Sequence, residues 1–153
     1  MKKIAVSVLA VLMALTTVIG MVGCGNSKEE QLLNAYVMSS DFQSNLKQMQ
    51  SKTSELANVT PQVSGRKLTL VFRRTTQLSE LEINTMKLQV SSKLDTLSTE
   101  TIAGGYSFTE MAQNIREHTA IQYPIIGMEM YNMDNSAIVK LEYDSQTMQI
   151  KLV

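Results

Sequence analysis

The chain has 153 residues, room for one domain, and its 14 basic and 14 acidic residues cancel to a net charge of zero. That balance gives no electrostatic reason to expect nucleic acid as a partner. One cysteine excludes a disulfide framework within the chain, and with no Trp but 11 Met, adaptable thioether packing must fill space that rings usually fill.

Lys2-Lys3 is a positive start, and Ile4 to Val22 is a charge-free run rich in Ala, Val and Leu, so residues 1–23 read as an export signal. Met21-Val22-Gly23-Cys24 resembles the lipobox of bacterial lipoproteins. The resemblance implies cleavage between Gly23 and Cys24 and conversion of the Cys24 thiol to a diacylglyceryl thioether, with acyl chains of the palmitate type. The chemistry needs cysteine because a thiolate accepts the lipid. Two plainer readings stand beside it: the apolar run is long enough to span a bilayer uncleaved, or Cys24 is a free thiol of a secreted protein. Without residues 1–23 the charge becomes −2, because Lys2 and Lys3 are lost.

Residues 24–29 then form a lipidated cysteine and short tether, and residues 30–153 a single domain. Gly25 to Lys28, at about 3.4 Å per extended residue, reach roughly 15 Å. The domain is expected against the extracytoplasmic face of the cell membrane, anchored stably by two or more acyl chains.

From Glu29 to Asn58 there is no Gly or Pro, and Ala35, Phe42, Met49 and Leu56 recur every seven residues, which predicts one long amphipathic helix. Val59 to Phe72 alternates through Leu68, Leu70 and Phe72 and turns at Ser64-Gly65. It predicts a hairpin whose first strand is short and edge-like because of Pro61. Leu78 to Ile102 predicts a second long helix with Ile83, Met86, Val90, Leu94 and Leu97 on one face. Gly104-Gly105 ends it. Ser107 and Glu110 form a capping box that opens a shorter helix to about Ala120.

After Pro124 the pattern becomes three strands, Ile125 to Met133, Ser136 to Tyr143 and Thr147 to Val153, with turns at Asp134-Asn135 and Asp144-Ser145-Gln146. The expected fold class is α+β: an antiparallel sheet, made of the hairpin plus a three-stranded meander, with two long helices and one short helix packed on one face.

VSGRKLTLVFRR followed by a long helix and then IGMEMYNMDNSAIVKLEY resembles small uncharacterised lipoproteins of Gram-positive bacteria, whose carboxy-terminal hairpin carries an aromatic, an Asn and an Asp-Gly turn. Here these are Tyr131, Asn132 and Asp134, with Asn135 in place of the Gly. The three residues are the candidate binding surface. The family carries no assigned activity; it implies a cell-surface location on the outer leaflet of the cytoplasmic membrane.

Candidate chemistry is sparse. His118, the single histidine, is expected near a helix end at the surface, with no cysteine partner and no serine in a GxSxG setting. Met128 to Met133 has the composition of a soft-metal motif, but on a strand Met128 and Met130 share one face while Met133 faces the other, so packing is the expected role. Glu129 and Glu142 are expected on one face of the sheet with Lys140 to neutralise them. No catalytic residues, metal site or cofactor are assigned.

The expected function is a membrane-anchored extracytoplasmic lipoprotein that acts as a protein- or envelope-binding module, with an envelope protein or wall component as partner. The alternatives are a small-ligand-binding domain, with a pocket between helices and sheet, and an envelope hydrolase using the surface carboxylates Glu129 and Glu142.

Overall fold

The computed structural model describes residues 27–153. The export signal, Gly23 and Cys24 lie outside the described residues.

Ser27 opens the first helix, α1 (Lys28–Val37), by accepting from the Glu30 amide. The single long helix expected here is two. Met38 closes α1 against Asn34, and Ser39 caps α2 (Ser40–Thr53) by accepting from the Phe42 amide at 3.3 Å. The Ser-Ser-Asp sequence offers side-chain acceptors that compete with an unbroken backbone ladder, which is how short polar residues start helices rather than continue them. The break still lets Leu33, Tyr36 and Val37 of α1 and Phe42, Leu46 and Met49 of α2 reach one core.

The hairpin follows as β1 (Ala57–Ser64) and β2 (Lys67–Arg74), antiparallel and turned by Gly65 at φ +57. Pro61 is tolerated because β1 is the sheet's edge strand. The second long helix is also broken. It is α3 (Glu80–Ser92) and the four-residue α4 (Leu94–Leu97), separated at Lys93. The expected face of Ile83, Met86, Val90, Leu94 and Leu97 does pack on the core, but only half-buried. No residue of α3 is fully buried, and Leu81 and Leu88 are exposed.

The capping box at Ser107 forms as expected: Ser107 N donates to Glu110 Oε2 at 2.8 Å, and Glu110 N donates to Ser107 Oγ at 3.2 Å. It opens α5 (Phe108–His118), whose Phe108, Met111, Ala112 and Ile115 are buried. Three strands complete the chain: β3 (Ile125–Tyr131), β4 (Ala137–Asp144) and β5 (Gln149–Leu152).

These strands form one five-stranded sheet in the order β1-β2-β3-β4-β5. It is mixed rather than antiparallel, because β2 and β3 run parallel, from Lys67 beside Ile125 to Arg73 beside Tyr131. A parallel neighbour requires a long crossover, and α3 to α5 supply it between β2 and β3. The expected meander β3-β4-β5 is antiparallel and present.

Alternation sorts the strands into two faces. Leu68, Leu70 and Phe72 of β2, Ile126 of β3, and Leu141 and Tyr143 of β4 join the helices in one buried cluster. The fully buried residues of that cluster run from Leu33 to Tyr143, so the described segment carries a complete core, as a domain able to fold alone requires. Each large side chain fully buried there contributes about 1.5–3 kcal/mol against exposure.

Candidate functional site

The other face of the sheet carries polar and charged residues. Lys67, Thr69, Val71 and Arg73 of β2 stand beside Ile125, Gly127, Glu129 and Tyr131 of β3, and these in turn oppose residues such as Glu142 and Lys140 of β4. Lys151 of β5 pairs with Glu142. With Asp144 of β4 opposite Ile125, four cations and three carboxylates therefore share one surface.

Gly127 organises the first group. A Cβ there would lie 2.7 Å from Thr69 Oγ1 and 2.9 Å from Lys67 Cε, so the bare glycine is the space through which the Lys67 side chain crosses β3. Lys67 Nζ reaches Glu142 Oε2, two strands away, at 2.8 Å. Lys151 Nζ takes the other oxygen, Oε1, at 3.0 Å. The Lys67 hydrogen bond, aided by Lys151, holds the Glu142 carboxyl below the usual carboxylate range, against its partial burial.

Tyr131 organises the second group. Its hydroxyl donates to Glu129 Oε2, while the Arg73 guanidinium lies 5.1 Å and the Lys140 ammonium 5.2 Å from its ring centre. Lys140 Nζ is 3.6 Å from Glu129. The Tyr131 hydroxyl, then Glu129, raise the Lys140 pKa. Arg73 also donates to Asn135 Oδ1 at 2.7 Å, which ties the β3–β4 turn to the same surface.

The three residues of the candidate binding surface do not stay together. Tyr131 is on this outer face. Asn132 is buried, 1% exposed, with its amide spent on the backbone of Leu78, and so is not part of a surface. Asp134 lies in the turn, where it accepts from Ser136 N at 2.8 Å, Ser136 Oγ at 2.6 Å and Gln77 Nε2 at 3.0 Å. The Ser136 bonds lead in lowering its pKa. Asn135 takes φ +66, the left-handed conformation for which Gly was the expected residue.

His118 ends α5, with Nδ1 at 2.8 Å from Asn114 O and Nε2 at 3.7 Å from Asp41. Met128 and Met130 share the core side as expected, whereas Met133 lies beyond the end of β3 in the turn, exposed. Among the described residues no group of three His, Cys, Asp or Glu could hold a metal ion. Lys67, Lys151 and Gly127 were not legible as one site, because Lys67 of β2 and Lys151 of β5 meet at Glu142 of β4 only in the folded sheet. The outward alternation of Lys67 and Arg73 was the available signal.

A family model described as a domain of unknown function, DUF4854, matches residues 33–143. The chain belongs to the DUF4854 family. The match spans α1 to β4 and includes every outer-face residue named above except Asp144 and Lys151. No curated protein and no solved structure matches the chain. The uncharacterised domain expected from the sequence is thus a DUF4854 domain, and the charged outer face lies almost wholly within it.

Proposed function

We propose that this DUF4854 protein is anchored through a lipid on Cys24 to the extracytoplasmic face of the cell membrane, and that its domain binds an envelope protein or wall component through the outer sheet face. The observation that carries the binding reading is the ordered charge set on that face: Glu142 held between Lys67 and Lys151, and Tyr131 flanked by Arg73 and Lys140. Side chains already held by neighbours lose less freedom on binding, and complementary charges give specificity. The anchor reading rests on the Lys2-Lys3 start, the apolar run and Met21-Val22-Gly23-Cys24. No helix among the described residues is long and apolar enough to cross a membrane.

The same geometry argues against Glu142 as the general acid of the hydrolase alternative. A general acid needs a carboxyl that keeps its proton near neutral pH, whereas Glu142 is pushed the other way by Lys67.

In-cell crosslinking of a tagged lipidated chain, followed by affinity capture and mass spectrometry, tests the reading. One dominant partner is expected, retained by wild type and lost in an Arg73→Glu, Lys140→Glu variant. Capture that is indifferent to both charge reversals removes the outer face from the proposal. Acyl labelling of Cys24 is expected to vanish in Cys24→Ala, and labelling that survives refutes the anchor. Hydrolysis of envelope material that Glu129→Ala and Glu142→Ala each abolish would establish the enzyme instead.

A further inference from the structure

Between the inner sheet face and α4 lies a cavity of about 280 Å³. Phe72, Met128, Met130 and Leu141 form its floor, and Leu97 of α4 with Ile102 of the following loop form much of its opposite wall. Met128 and Met130 face the core side yet stay partly exposed, as the residues onto which such a cavity opens must. Protein interiors normally leave few voids larger than a water molecule. This pocket is half-open, so water enters it, and an apolar guest gains by displacing that water from the apolar walls.

The mouth is polar. Arg74, Glu100 and Thr101 line it. Glu100 already accepts from Thr96 Oγ1 at 3.1 Å. Arg74 spends Nε and Nη2 on Thr76, at 3.3 and 3.0 Å to its carbonyl and hydroxyl oxygens, and belongs to no ion pair among the described residues. Its charge acts on the Glu82 carboxylate without forming an ion pair, and Glu100 lines the same pocket, so the guanidinium keeps donors for a guest.

We infer that this cavity binds a single-chain amphiphile, its apolar chain against Met128 and Met130 and an anionic head beside Arg74. Size sets the chain: a dry cavity of about 150 Å³ holds benzene, so about 280 Å³ takes a body of roughly ten carbons. Charge sets the head, since a guanidinium with donors to spare favours a carboxylate or phosphate. The two methionines suit a chain of no fixed shape, because unbranched thioethers repack around what they touch. The wall carrying Leu97 continues from α3, which buries no residue completely, so entry need not open the main core.

Methionine methyl NMR on the domain from Ser27, titrated with decanoate, tests the site, with decanol and decyltrimethylammonium as matched probes. Saturable shifts are expected at Met128 and Met130, and none at the exposed Met38 and Met148. Arg74→Gln is expected to weaken decanoate about tenfold and leave decanol unchanged. Leu97→Trp, or Thr101→Trp should the first fail to fold, is expected to block both. Silent Met128 and Met130 methyls, or equal shifts at Met148, overturn the site. Tighter binding of the ammonium probe, or decanoate affinity indifferent to Arg74→Gln, overturns the head-group assignment.

Discussion

Asn132 and Leu78, 54 residues apart, are joined by two hydrogen bonds: Leu78 N donates to Asn132 Oδ1 at 2.8 Å, and Asn132 Nδ2 donates to Leu78 O at 3.1 Å. The pair fastens the segment entering α3 to the end of β3. Asn132→Ala removes both bonds and leaves the Leu78 groups without their partner, so a loss of about 2–3 kcal/mol is expected in urea denaturation. Amide exchange through α3 should accelerate with it. A variant of wild-type stability would show that Leu78 finds water instead.

Gly127→Ala is expected to cost about 1–3 kcal/mol, since overpacking forces neighbours off their rotamers. The new Cβ would strike Thr69 Oγ1 and Lys67 Cε. Removing the Thr69 side chain relieves one of the two, so Gly127→Ala with Thr69→Ala should recover part of the loss. Strictly additive losses in this double-mutant cycle would show that the two sites do not touch.

Glu142 makes the stability of the sheet depend on acid. Its folded-state pKa is lowered from 4.5 by Lys67 and Lys151. A lowered carboxyl contributes stability in full above its unfolded pKa and loses it as pH falls through the folded value. Wild type should therefore exceed Glu142→Gln by about 1 kcal/mol at pH 7, and the gap should close as pH drops below about 4.5 and through the folded pKa. A gap that persists at pH 2 would mean the carboxylate is not its source.

The two capping boxes should respond differently. Ser107 caps α5, whose four apolar residues are core, so Ser107→Ala should lower global stability by about 1 kcal/mol in thermal or urea melts. Ser79 caps α3, which buries nothing completely, so Ser79→Ala should chiefly raise local amide exchange in α3. Equal global losses would show α3 and α5 to be one cooperative unit.

The sequence carried the α+β class, the hairpin, the Ser107 capping box and the direction of Met128 and Met130, because each depends on neighbours two to four residues away. It missed the breaks at Met38-Ser39 and Lys93. Both sit inside apolar patterns that continue across them, so periodicity alone joined the pieces. The resemblance of the β3–β4 hairpin to those lipoproteins places Asn132 at the surface, and only Leu78, far along the chain, draws it inside.

What the sequence determined by itself was local: which segments are helix or strand, where polar residues cap and turn them, and the apolar run from Ile4 to Val22 that precedes Cys24. The tertiary structure alone decided that β2 and β3 lie parallel, because strand pairing is a choice among distant partners. That one pairing sets Lys67 across Gly127 towards Glu142, lays Arg73 beside Tyr131, and puts Phe72 beside Met130 on the cavity floor.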